Sequence, residues 1–135
     1  MPWAFGYANP RAIHWGPGAL TQLAPELKRL QMNRIALFTT RSLLAEGKLV
    51  EKVRSALGEV EAPATVVISQ HAPQAEIDAA LEQATEAGVD GVVSFGGGSA
   101  IDAAKIVAVK LADRRGLAYR GLPHIAIPTT LSVAE

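Results

Sequence analysis

Cysteine is absent from the chain, which excludes disulfides, thiolate metal sites and a cysteine nucleophile. Excess charge is absent too. Thirteen basic residues balance thirteen acidic ones over 135 positions, so no long-range field draws the protein to nucleic acid or to an anionic membrane. The adjacent Arg114 and Arg115 are too few to make a basic patch. No apolar run is as long as a bilayer span. The opening Met1-Pro2-Trp3-Ala4-Phe5-Gly6 has neither the basic nor the apolar region of a secretory signal. These absences lead to the expectation of a soluble, cytoplasmic protein with no nucleic-acid or membrane partner. Repeats, low-complexity tracts and evident linkers are also missing. What remains is one domain's length of chain, 49% of it hydrophobic, enough to fill a core.

The most informative segment present is Val92-Val93-Ser94-Phe95-Gly96-Gly97-Gly98-Ser99-Ala100-Ile101-Asp102-Ala103-Ala104-Lys105. A short apolar strand runs into three consecutive glycines, and a helical pattern begins at once. Residues without Cβ allow a sharp turn and close approach of another molecule to the main chain. The helix behind them offers unpaired N–H groups and the positive end of its dipole, a natural seat for a diphosphate. The segment does not fit G-x-G-x-x-G, because the last glycine would fall on Ile101. Nor does any stretch fit the G-x-x-x-x-G-K-[ST] phosphate loop. A tight strand-to-helix turn without a ligand has the same local appearance. Ser99 and Asp102, three apart at a helix start, suit a capping-box-like pair, and Asp102 and Lys105 suit a surface ion pair.

Strands are expected at Ile35-Ala36-Leu37-Phe38, Thr65-Val66-Val67-Ile68, Gly91-Val92-Val93-Ser94-Phe95 and His124-Ile125-Ala126-Ile127-Pro128. All are short, continuous and apolar, as strands covered on both faces are. Between them lie helical stripes. Leu20, Leu23, Leu27 and Leu30 form one, with Pro25 kinking or restarting it. Leu49, Val50, Val53 and Leu57 form a second, closed by Gly58, and Ile77, Ala80, Leu81 and Ala84 a third, stopped by Gly88. The helix after Ser99 is apolar nearly all round, which predicts cover on several sides. Strand–helix alternation implies an α/β, Rossmann-like, mostly parallel sheet with helices on both faces. Ligands of such sheets sit beyond the carboxyl ends of the strands, where the glycine turn lies. The end of the chain, Pro128-Thr129-Thr130-Leu131-Ser132-Val133-Ala134-Glu135, places hydroxyls directly beyond the fourth strand. They suit either hydrogen bonds to a ligand or the cap of a following helix, and the domain of residues 1–135 reads as truncated at its carboxy end.

These residues together resemble the iron-containing, group III alcohol dehydrogenases, and the likeness runs nearly from end to end. Ile13-His14-Trp15-Gly16-Pro17-Gly18-Ala19-Leu20 is similar to that family's first strand and G-x-G turn. Gly96-Gly97-Gly98-Ser99-x-x-Asp102-x-Ala104-Lys105 matches its nucleotide motif, and Pro128-Thr129-Thr130 with Glu135 resembles its P-T-T loop. The glutamate seven positions after the proline, and His71-Ala72-Pro73 after the second strand, look most like the maleylacetate-reductase-like branch.

The resemblance implies the amino-terminal half of a two-domain oxidoreductase that passes a hydride between NAD or NADP and an alcohol or carbonyl substrate. It implies that the amides of Gly97, Gly98 and Ser99 hold the pyrophosphate and that Asp102 reaches toward the nicotinamide end. Thr129, Thr130 and Ser132 would lie along the cofactor, with Thr40 at the end of the first strand. A divalent metal, iron or zinc, belongs to the family's second, helical domain. The dispersed His14, His71 and His124 suggest no metal site here, and no catalytic residue is assigned. A homo-oligomer, or pairing with the absent helical domain, is expected to cover exposed apolar surface. Many relatives carry an aspartate where this chain has Thr39-Thr40-Arg41. Arg41 reads either as a charge attracting a 2′-phosphate, so that NADPH is accepted at least as well as NADH, or as a solvated loop residue. Two other readings stay open: a nucleotide-binding module without catalysis, and a dehydroquinate-synthase-like lyase domain.

Overall fold

The computed structural model describes residues 18–117 and 122–129. The strand expected around Ile13, and the site residues Thr130 and Ser132 with the neighbouring Glu135, lie outside the described residues. Among the described residues, four strands, β1 (Arg34–Thr39), β2 (Glu61–Val67), β3 (Gly91–Gly96) and β4 (His124–Pro128), form a single sheet. Every pairing in it is parallel, and the order is β2-β1-β3-β4. Five α-helices among the described residues accompany it: α1 (Leu23–Arg29), α2 (Arg41–Glu46), α3 (Lys48–Ala56), α4 (Gln74–Ala87) and α5 (Gly98–Arg114). The chain leaves β1 for β2 on one side, then returns to place β3 on the other. The strand order therefore reverses between β1 and β3, and their carboxyl ends flank the crevice that such a reversal opens.

Alternating side chains of the strands feed two cores. Ala36, Phe38, Val66 and Val92 face one way, toward Ile77, Ala80, Leu81 and Ala84 of α4 and Ala103, Ala104, Val107, Ala108 and Leu111 of α5. Ile35, Leu37, Val93 and Phe95 face the other, toward Leu23 and Leu27 of α1 and Val50 and Val53 of α3. Each fully buried aliphatic side chain contributes about 1.5–3 kcal/mol of transfer free energy. The two central strands, sealed on both faces, are for that reason mostly apolar, with Arg34, Thr39 and Ser94 the exceptions.

Several details differ from the sequence expectation, each for a local reason. Pro25 stands in the first turn of α1, behind a single 3-10 turn at Ala19–Gln22. Its missing N–H has no intrahelical acceptor there, so α1 runs from Leu23 with the proline inside it. β2 begins four residues earlier than its apolar run and includes Pro63. It is an edge strand of the described sheet, and the register slips by one residue between the Arg34–Glu61 and Ala36–Ala64 pairs; a bulge at an edge accommodates proline. Leu49 is 43% exposed, so Val50 and Val53, with Ala56 and the C-cap Leu57, carry the inner face of α3. On α5 the apolar girdle is incomplete, because Ile106 and Val109 are 39% and 53% exposed. Gly88, as expected, ends α4 with a left-handed φ of 65°.

Candidate dinucleotide site

Three strand ends build the site. β3 stops at Gly96, whose φ of +154° is a conformation that side chains with Cβ rarely adopt. A Cβ there would come 3.3 Å from Ala100 Cβ and 3.4 Å from Thr40 Cγ2. The Thr40 methyl thus closes on the glycine turn across the β1–β3 crevice. Thr40 is also the N-cap of α2, its Oγ1 accepting from the Leu43 N–H at 3.4 Å. From the third side, the Thr129 N–H donates to the Gly96 carbonyl at 3.0 Å, fastening the end of β4 to the same turn.

Gly97 is the N-cap of α5, and no side chain caps this helix. The capping role expected of Ser99 is not realised: Ser99 lies inside the first turn, and its Oγ accepts from the His71 N–H at 2.9 Å. A 17-residue helix therefore presents its first N–H groups, at Gly98 and Ser99, with neither an intrahelical acceptor nor a side-chain cap. Such a terminus favours an anion by about 0.3–1 kcal/mol at an exposed site, and more where it is partly buried. Glycine at 96 lets neighbouring chain close to contact distance beside that terminus. These features fit a diphosphate. Asp102 is exposed one turn further along α5, beside an open groove of about 450 Å³ lined by His71, Ala72, Ile77, Gly98, Ser99 and Ile106. A larger groove of about 650 Å³ runs between α2 and α3 and includes none of the predicted site residues.

The structure brings Thr40, Gly97, Gly98, Ser99, Asp102 and Thr129 to the carboxyl edge of one sheet. It also adds features that residue types did not announce. Ser69, just beyond β2, donates to the Glu76 carboxylate through its N–H at 2.8 Å and its hydroxyl at 2.5 Å. The hydroxyl bond and then the amide bond hold Glu76 below the usual carboxylate range, and the charge of Arg41 adds to the effect. Arg41 is therefore opposed by a carboxylate from α4, although none stands beside it in sequence. A Glu seven residues after a serine at a strand end was the available signal. His71 and Ala72 have positive φ of 69° and 46°, which neither residue type foretells.

His124 has a structural role. It is half-buried on β4, 2.7 Å from Ser94 Oγ, and burial together with the nearby Lys105 charge lowers its pKa to about 4. His14 lies outside the described residues. Among the described residues no three His, Cys, Asp or Glu side chains converge as a metal site would require. No described helix is long and apolar enough to cross a membrane.

A model of the iron-containing alcohol dehydrogenase family matches residues 10–135. The chain belongs to that family. It is 37% identical over 136 residues to long-chain-alcohol dehydrogenase 1 of Geobacillus thermodenitrificans (strain NG80-2), covering 90% of this chain and 34% of that protein. It is 33% identical over 138 residues to maleylacetate reductase of Pseudomonas knackmussii, covering 100% of this chain and 35% of the relative. Among solved structures, sulfoacetaldehyde reductase from Bifidobacterium kashiwanohense, in complex with NAD+, superposes with a TM-score of 0.78 at 25% identity, covering 94% of this chain and 36% of that one. The chain spans about a third of the length of the curated relatives it matches. Members of this iron-containing family bind NAD(P) and act as oxidoreductases, and the Rossmann-like parallel sheet is the part of them present here.

Proposed function

We propose that residues 1–135 are the dinucleotide-binding portion of an NAD(P)-dependent oxidoreductase acting between an alcohol and a carbonyl. The observation that carries this reading is the uncapped amino terminus of α5 behind Gly97, placed at the reversal of strand order between β1 and β3. The N–H groups of Gly97, Gly98 and Ser99 hold the diphosphate, and the glycines let it approach the main chain. Asp102, one turn along α5, faces the nicotinamide half. Thr129 borders the cofactor where the turn meets the end of β4, and the family resemblance assigns Thr130 and Ser132, outside the described residues, to the same loop. Thr40 packs on Gly96 and marks the adenosine side. Bound there, the nicotinamide supplies hydride chemistry; the work of this chain is to bind and orient it.

The described residues do not fit the family's metal, so no step of this chain runs through one. Metal ligands, most of the substrate pocket and the partner surface belong to the remainder of a complete family member. Arg41 draws a 2′-phosphate toward the β1 end, while Glu76 offsets part of that charge, so NADPH and NADH are both accepted. The deciding experiment is Gly98→Asp, which places bulk and negative charge beside the diphosphate. Titration with NADH and with NADPH should show binding to the wild-type chain and none to the variant. Equal affinity in the two proteins would overturn the assignment.

A further inference from the structure

The turn between β2 and α4 is held against its own conformational preference. His71 and Ala72 are consecutive residues at positive φ, 69° and 46°, a region that L side chains keep only where their surroundings compel it. Two anchors supply that compulsion. On the strand side, Ala72 N–H donates to the Ser69 carbonyl at 3.0 Å, and Ser69 is itself held twice by Glu76. On the far side, the His71 N–H donates to Ser99 Oγ, 2.9 Å away and 28 residues on in sequence. Ser99 is thus the point where the strained turn meets the helix terminus. The groove between them is walled by His71 and Ala72 on one side and by Gly98, Ser99 and Asp102 on the other.

We infer that Ser99 is a positioning residue: its hydroxyl latches the His71–Ala72 turn to the start of α5 and fixes the wall of the groove that receives the dinucleotide. This rests on the dinucleotide reading of the site, and it assigns the side chain a task distinct from that of the Ser99 amide. A hydroxyl accepting one bond still has its proton to donate, so latching does not remove Ser99 from the ligand. Without the oxygen, the His71 N–H loses its acceptor and the turn relaxes out of the positive-φ region. Binding must then restore the wall, and affinity falls by the fraction of molecules in which it is already formed.

The test uses the full chain with NADH and NADPH as probes. Ser99→Ala should weaken binding about five- to tenfold and speed hydrogen exchange at the His71 amide. Ser99→Thr, which keeps the oxygen, should retain both affinity and protection. Adding Ala72→Gly to Ser99→Ala should recover most of the affinity, because glycine occupies positive φ without strain. If Ser99→Ala weakens binding and Ala72→Gly recovers nothing, the hydroxyl acts on the ligand directly and the latch is wrong. Unchanged affinity and unchanged His71 exchange in Ser99→Ala also overturn the latch while leaving the dinucleotide site standing. Failure of the wild-type chain to bind either probe overturns the site and with it the positioning role, and the His71 exchange rate still reports on the bond by itself.

Discussion

Thr39 Oγ1 is a fully buried side-chain oxygen with no hydrogen-bond partner among the described residues. Thr39 ends β1 directly before the N-cap Thr40, so one threonine of the pair satisfies a helix while the other is sealed in the sheet. A buried hydroxyl without a partner forfeits its hydration with no return. Thr39→Val keeps the branched shape and removes the oxygen; it should stabilise the protein by about 1 kcal/mol. Urea denaturation would register this as a higher midpoint at unchanged slope, and a lower midpoint would mean that the hydroxyl has a use. At this scale the sequence was legible where a residue type has one strong reason to occur. Gly88 reads as a helix stop because it takes a left-handed φ there, and the run Gly96-Gly97-Gly98 reads as a turn because the chain crowds Gly96. It was opaque at His71, Ala72, Ser69 and Glu76, whose roles come from partners several to tens of residues away. Beyond the seven-residue spacing of Ser69 and Glu76, nothing local in those side chains encodes them.

Helix α5 shows what the pattern of an element can and cannot convey. Its run of Ala100, Ile101, Ala103, Ala104, Val107, Ala108, Leu111 and Ala112 is buried, with small residues letting it lie close to β3 and to α4. Ala104→Leu would force extra methyl groups into that contact and should cost about 1–3 kcal/mol, measured as a lower denaturation midpoint. The same composition concealed the outer stripe of Ile106 and Val109, since apolar residues all round do not say which side faces water. Strand β2 was under-read because Pro63 argues against a strand in any place except an edge. The β3–β4 junction makes a prediction of another kind. His124 takes its proton near its ordinary value of 6.5 in the unfolded chain but only at about 4 in the folded one. Between these values the unfolded state binds more protons, so stability is complete above the upper value and declines as pH falls toward the lower. Allowing for partial exposure, the loss is on the order of 2 kcal/mol. Unfolding at about pH 7.5 and about pH 4.5 should reveal it, and His124→Asn should flatten the difference.

Across the described residues, the order β2-β1-β3-β4 puts the two strands that are sealed on both faces at the centre and leaves an edge strand on each flank. Amides of Leu37, Phe38, Val92 and Val93 should therefore exchange slowest, and those of β4 well before them. Comparable protection across all four strands would show that the edges are covered by more than the described elements. The parallel sheet and its helical crossovers were legible because continuous apolar runs of strand length alternate with helical stripes. The strand order was not legible, since the same alternation permits other arrangements. That order matters because it makes the glycine turn and the end of β1 neighbours. The bond from Thr129 to Gly96 carries a consequence for assembly. It joins two segments of the proposed site that are 33 positions apart in sequence, through a flank strand of the described sheet. A chain whose β4 has peeled away has therefore also lost one wall of that proposed site. On that proposal, a dinucleotide at a hundred times its dissociation constant acts as a clasp worth about 2.7 kcal/mol against that peeling, so its capture becomes a report that β4 is seated.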